Sequence, residues 1–179
     1  MDRMSSKVRL AALALALVSS PGLGAEVYLE PERFLAESFG GDAPKPSILW
    51  IAGDTRDAVE RILGHSAGAL RVRYWSQEGR TAWILEETGK TEPITTGIVV
   101  DKGAIARINV LIYRESRGWE VRYPFFTDQF KGATLTAMGE LDRNIDGISG
   151  ATLSVRALTR LARVALLLDA AVREAKTSR

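Results

Sequence analysis

The chain of 179 residues contains no cysteine and one histidine, His65. Without thiols it cannot build a disulfide framework, a thiolate zinc site, an iron–sulfur cluster, a c-type haem attachment or a dithiol redox pair. One imidazole cannot assemble a polyhistidine metal site. Any redox chemistry must therefore be carried on a bound cofactor. Ser-His-Asp hydrolysis would have to use His65, which follows the helix stop at Gly64 and reads as a loop residue; no Gly-x-Ser-x-Gly elbow accompanies it. Asp42, Asp54, Asp57 and Asp101 lack the spacing of a calcium loop, and no G-x-G-x-x-G nicotinamide fingerprint is present. An excess of charge is also missing. Removing Arg3, Lys7, Arg9 and Asp2 from the 24 basic and 22 acidic side chains leaves 21 of each. A folded part that is neutral overall has no basic stripe for phosphate backbones, which argues against a nucleic-acid partner.

Residues 1–25 combine a basic start (Met1 to Arg9), an apolar run from Leu10 to Val18, and a breaking segment from Ser19 to Ala25. This is the layout of a secretory signal. The apolar run is well short of the ~20 residues that cross a bilayer. We expect a signal peptide over residues 1–25, cleaved after Gly24 or Ala25, a single domain over 26–179, and a periplasmic location. The absence of cysteine also excludes a lipoprotein anchor.

In the remainder, Pro31 opens a short helix through Phe39, and Gly40 to Pro46 breaks it. Ile48 to Ile51 reads as a buried strand. Asp54 is placed to cap a helix bearing Ala58, Val59, Ile62 and Leu63, stopped by Gly64. The hydrophobic period then changes to two. Leu70 to Trp75 and Thr81 to Leu85 form one hairpin around Gln77-Glu78-Gly79, with Trp75 and Trp83 as core or cross-strand aromatics. Ile94 to Val100 and Ile105 to Tyr113 form a second around Asp101-Lys102-Gly103. A long helix from about Ala151 to Ala175 closes the chain, with Val155, Leu158, Leu161, Ala162, Ala165 and Leu168 on one stripe and Arg156, Arg160 and Arg163 elsewhere. The expected class is α+β: an antiparallel sheet with helices packed on one face.

The chemistry sits at the start of that last helix, in Asp146-Gly147-Ile148-Ser149-Gly150-Ala151-Thr152-Leu153-Ser154. The plain interpretation is a Ser or Thr cap before an apolar helix. The sharper one is that unpaired amides and the positive dipole end favour a phosphate, which Gly147 and Gly150 let approach closely.

The segment resembles the flavinylation motif of the FMN-binding domain family, Asp-x-x-Ser-Gly-Ala-Thr, whose threonine forms a phosphoester with FMN. That family includes the C subunit of the sodium-translocating NADH:quinone reductase, the G subunit of the Rnf complex and small secreted flavoproteins. Position by position, Asp146, Ser149, Gly150 and Ala151 take the motif places, Thr152 is the acceptor and the Leu153 amide adjoins it. Upstream, Glu115-Ser116-Arg117-Gly118-Trp119-Glu120 and Phe126-Thr127-Asp128-Gln129-Phe130-Lys131-Gly132 match two further family segments in order and spacing. Ser116, Arg117 and Glu120 stand where the family has Thr, Pro and Gly. The likeness covers about residues 90–165; residues 26–89 form an N-terminal extension.

The resemblance implies an electron-transfer flavoprotein with FMN covalently held on Thr152. It further implies a separate FAD- and magnesium-dependent flavin transferase, and a membrane redox partner such as a cytochrome or a ferric-reductase-like protein. Tyr113, Trp119, Phe125 and Phe126 are candidates for flat contacts with the ring, with one of the last two expected in the core. Glu115, Ser116 and the Gly118 amide are candidate polar contacts. Arg114, Arg117 and Arg122 are either cations near the flavin or a solvated face. Two rival functions stand beside the carrier: a flavin reductase acting directly on a small substrate, and a non-redox binding or sensing module.

Overall fold

Alternation of apolar and polar residues, broken by residues suited to tight turns, builds the sheet. The computed structural model describes residues 24–68 and 71–177. Residues 1–23 of the expected signal peptide, and Leu70 of the first expected hairpin, lie outside the described residues. The strands are β1 (Glu26–Val27), β2 (Ser47–Trp50), β3 (Arg71–Gln77), β4 (Arg80–Thr88), β5 (Pro93–Asp101) and β6 (Ala104–Tyr113). They form one antiparallel sheet in the order β1-β6-β5-β4-β3-β2. The turns Glu78-Gly79 and Lys102-Gly103 have positive φ at both central residues, as two-residue hairpins with right-handed twist require.

The helices are α1 (Pro31–Phe39), α2 (Gly53–Leu63), α3 (Pro124–Thr127) and α4 (Thr152–Thr177), with single 3-10 turns at Trp119–Arg122 and Asp128–Phe130. The class is α+β, and α4 is the dominant helix. On one face of the sheet, Trp83, Ile94, Ile98, Val100 and Val110 pack with α2 and with Leu158, Leu161, Ala165 and Leu168 of α4. On the other, α1 places Phe34 and Leu35 against Ala82, Val99 and Leu111. Helices on one face alone therefore describes α2 and α4 but not α1. Consecutive residues of a doubly covered strand are both apolar, and periodicity cannot say which helix meets which side.

Two local expectations change. The Ile48 to Ile51 run is not a buried strand: β2 is the edge of the sheet, with Ile48 53% and Trp50 66% exposed. A short apolar run reads alike at a centre or an edge. Helix α2 begins at Gly53, so Asp54 lies in its first turn rather than capping it.

A buried polar chain ties α4 to the sheet. The Trp83 indole N–H donates to Thr81 Oγ1 at 2.9 Å, Thr81 donates to Asp169 Oδ1 at 2.7 Å, and Arg173 Nε donates to Asp169 Oδ2 at 2.8 Å. Asp169 is fully buried, and these bonds offset its removal from water.

On the opposite face Phe34 lies flat over Gly97. A Cβ added there would stand 2.7 Å from two ring carbons. The close approach dictates glycine, and Gly97→Ala is expected to cost about 2 kcal/mol by overpacking. Urea unfolding checks this, and adding Phe34→Leu to the variant should recover part of the loss.

Of two register shifts in the β5–β6 ladder, the one between Thr95 and Thr96 lies at the functional end of the sheet. Thr95 opposes Ile112 while Thr96 opposes Val110, so Leu111 is an extra residue in β6. Simple alternation would put Ile112 with Ile108 and Val110 and send Tyr113 to the other face. The bulge reverses that assignment: Tyr113 joins the α4-side core while Leu111 and Ile112 pack on the α1 side. Bulges re-aim side chains in this way next to functional sites.

Candidate functional site

The site is assembled where β6 ends, α4 begins and the β4–β5 connection turns. Before α4, the Ala151 amide donates to Ile148 O at 3.0 Å, closing a turn with Gly150 at φ +82°. The first helical bond runs from the Val155 amide to Ala151 O at 2.9 Å. Ala151 thus occupies the capping position, and it has no side-chain oxygen to offer. The first amides of α4 are left uncapped by that residue. Thr152 is exposed, Leu153 is 41% exposed, and Ser154 is buried.

The re-aimed Tyr113 locks the next loop to this helix start. Its hydroxyl donates to Arg117 O at 2.6 Å and lies 2.9 Å from Ser154 Oγ, which donates to it. Burial pushes the Tyr113 phenol up. Gly118, at φ +87°, fits beneath: a Cβ there would lie 2.9 Å from Ser154 Oγ, 3.0 Å from Tyr113 Oη and 3.2 Å from the Ala151 methyl. The helix start and the loop approach closely because position 118 has no side chain.

Glu115 works in the other direction. Its Oε1 accepts from the amides of Lys90, of Thr91 at 2.6 Å and of Glu92 at 3.0 Å, and its Oε2 accepts from the Thr91 hydroxyl at 3.1 Å. Burial raises its carboxyl pKa, but the amides of Glu92, Thr91 and Lys90 outweigh this and hold it below the usual range. One carboxylate thereby organises the whole β4–β5 turn.

Between these parts lies an open cleft of about 640 Å³, lined by Lys90, Glu115, Ser116, Arg117 and residues 150–154. A second hollow of about 420 Å³ shares Glu115 and Ser116 and adds Tyr28, Tyr113, Trp119 and Arg122. Sizes of this order suit a cofactor. Trp119 and Phe125 are 43% and 63% exposed, whereas Phe126 is fully buried. The Arg122 guanidinium lies 4.1 Å from the Tyr28 ring centre and 4.8 Å from that of Tyr123. Arg114 is bound to Pro93 O and Thr95 Oγ1.

The Phe-x-x-Gln-Phe-x-Gly segment acts as a clamp. Phe126 and Phe130 meet edge to face at 5.5 Å in the core. Gln129 Oε1 accepts from the Asp146 amide at 2.7 Å. Arg143 donates to Lys131 O and Gly132 O, while the Gly132 amide donates to Ile105 O. The motif segment is thus held against the start of β6.

Of the residues singled out from sequence, Glu115, Ser116, Gly150, Ala151, Thr152 and Leu153 converge on the main cleft. Asp146, Ser149 and Gly118 do not line it: Asp146 is fixed through its amide by Gln129, Ser149 belongs to the turn before α4, and Gly118 is packed beneath. Lys90 lines it without having been singled out, and Ser154 does so as the end of the quoted segment, with no role assigned to it. Lys90 arrives from a distant turn with no local motif. Ser154 follows the acceptor by two residues, the only signal available.

His65 stands apart. Its Nδ1 faces Ser66 O at 3.0 Å and its Nε2 faces Glu87 Oε2 at 3.0 Å, with Arg160 Nη1 3.3 Å from Glu87 Oε1. The Ser66 carbonyl, then the Glu87 carboxylate, raise the imidazole pKa. Both ring nitrogens face acceptors, so the geometry suits an imidazolium that joins the end of α2 to β4 and α4.

Residues 89–167 match the model of the FMN-binding domain family. Among solved structures, the chain is similar to the C subunit of the Na(+)-translocating NADH-quinone reductase from Parabacteroides distasonis. The two are 19% identical over 70% of this chain and 78% of that one, with a TM-score of 0.48. No curated protein matches.

Proposed function

We infer that the chain, whose residues 89–167 match the FMN-binding domain model, carries FMN as a phosphoester on Thr152 Oγ1 and serves as a periplasmic electron carrier. The observation that supports this most is an exposed threonine hydroxyl at a helix start whose capping residue is alanine, opening on a cleft of about 640 Å³. An alanine cap is not distinctive by itself, since α2 starts behind Ala52 without a side-chain cap. What sets α4 apart is that its uncapped first-turn amides and the Thr152 hydroxyl open on a cleft, where they are available to an anion.

FMN supplies the redox chemistry that no side chain of this protein provides. The chain's own residues hold and orient it. The amides of Thr152, Leu153 and Ser154, with the helix dipole, would hold the single negative charge that a phosphodiester on Thr152 retains. Lys90 and Arg117 add positive charge at the cleft wall. Glu115 keeps Lys90 in place through the β4–β5 turn, and Tyr113 keeps Arg117 in place through its carbonyl. Trp119 and Phe125 offer exposed flat surfaces nearby.

A covalent tether fits such a shallow site. It keeps the local concentration of cofactor high without extensive burial, which leaves the ring accessible to a partner. Attachment falls to a flavin transferase using FAD and magnesium: Thr152 Oγ1 bonds to the FMN phosphorus, its proton departs, and AMP leaves. The partner in electron exchange is a membrane redox protein such as a cytochrome or a ferric-reductase-like protein.

The test is to co-express the chain with such a transferase and weigh the secreted protein intact. The expected result is a gain of one FMN less one water, located on the peptide that contains Thr152. Colourless protein of unmodified mass would overturn the assignment and favour the binding-module function. Turnover of a small substrate by loaded protein with no partner present would replace the carrier by a reductase.

A further inference from the structure

The remaining surface with a defined chemistry lies at the far edge of the sheet, where β3 parts from β4. Their ladder stops at Tyr74 and Trp83, while β3 continues to pair with β2 through Trp50 and Arg71. The divergence opens a groove of about 650 Å³ on the α1 side. Its apolar wall is Pro31 and Leu35 of α1, Ile48, Trp75 and Ile84; Arg71 and Arg73 also line it.

Arg71 and Arg73 are two residues apart on one strand, so both project to the same face as Trp75. They are exposed, and neither guanidinium has a hydrogen bond or ion pair among the described residues. Their cross-strand partners on β2 are Trp50 for Arg71 and Ile48 for Arg73, both apolar and more than half exposed. Glu32 of α1 lies on the groove wall and forms no ion pair with either arginine. Exposed guanidiniums with no partner among the described residues, beside exposed apolar side chains, form a surface that an anionic head and a hydrocarbon chain complement together.

We propose that this groove binds an anionic amphipath, with its phosphate or carboxylate head held by Arg71 and Arg73 and its hydrocarbon chain lying along Ile48, Leu35, Trp75 and Ile84. The guanidinium fork matches such a head group, and the aliphatic wall accounts for an affinity beyond that for a simple anion. The same chemistry comes either from a lipid in an anionic membrane or from a free amphiphile. The groove is separate from the flavin cleft. β3 and β6 are three strand spacings apart, about 14 Å, so occupancy does not depend on loading at Thr152.

Calorimetric titration of the full chain with octyl phosphate, kept below its micelle concentration, tests this. Octyl phosphate is expected to bind at least about tenfold more tightly than inorganic phosphate or the neutral octyl glucoside. Arg71→Gln with Arg73→Gln should lower the affinity at least about tenfold, and Ile48→Ser, at an exposed position, should lower it by a smaller factor. Circular dichroism verifies that the variants fold. Co-sedimentation with phosphatidylcholine vesicles containing about a third phosphatidylglycerol identifies the source. Binding to these vesicles and to octyl phosphate supports a membrane lipid; binding to octyl phosphate alone supports a free amphiphile. Absence of both, affinity unchanged in the double arginine variant, or inorganic phosphate binding as tightly as octyl phosphate would each overturn the proposal.

Discussion

Thr152→Val is expected to yield protein that folds normally and carries no covalent flavin. Valine keeps the branched shape of threonine but removes the only atom that can form the ester, so the loss should be complete rather than graded. The fold should be indifferent, because Thr152 is exposed at the first position of α4 and the cap at Ala151 uses backbone groups alone. Substitutions at such positions usually change stability by no more than about 0.5 kcal/mol. Denaturing gel fluorescence and intact mass give the loading, and urea unfolding gives the stability. Thr152→Ser restores a hydroxyl and should restore part of the loading. Flavin that survives denaturation of the valine variant would place the attachment elsewhere.

Glu115→Ala should have the largest effect among the residues that shape the cleft without being joined to the cofactor. Its carboxylate holds three backbone amides and the Thr91 hydroxyl, and an alanine there releases the turn that carries Lys90. The expected cost is about 2 kcal/mol, since water reaches part of the exposed turn and replaces some of the lost bonds. Flavin loading by the transferase should fall as Lys90 loses its position.

The pH dependence separates this role from simple packing. The folded-state pKa of Glu115 is depressed, so its contribution is present above the ordinary glutamate pKa and is lost as pH falls through the folded value. The stability gap between the native chain and Glu115→Ala should therefore be full near neutrality and shrink below about pH 4.3. A gap that stayed constant into acid would show that the carboxylate charge contributes nothing.

Much of the frame was legible in the residues. Glu78-Gly79 and Lys102-Gly103 announce their hairpins because both central positions need positive φ. The apolar stripe of α4 reads directly as a buried face, since every residue assigned to it is buried. At the site, three residues of the Ser-Gly-Ala-Thr run, Gly150, Ala151 and Thr152, line the cleft. Ser149 alone of the run lies just outside its lining. Lys90 was not legible, because a turn residue far along the chain is brought in only by what Glu115 grips. The packing role of Gly118 was not legible for a similar reason. A glycine that permits close packing and one that presents an amide look identical until the neighbouring Tyr113 and Ser154 are in place.

From sequence alone came the α+β class, the antiparallel hairpins and the long closing helix with its polar entrance. Each depends on periodicity or turn chemistry within a few residues. Only the folded arrangement decided that α1 covers the second face, that β2 is an exposed edge, and that an extra residue in β6 swings Tyr113 beneath Ser154. Those outcomes arise from how surfaces far apart in the chain compete to be buried, a competition that no local pattern records.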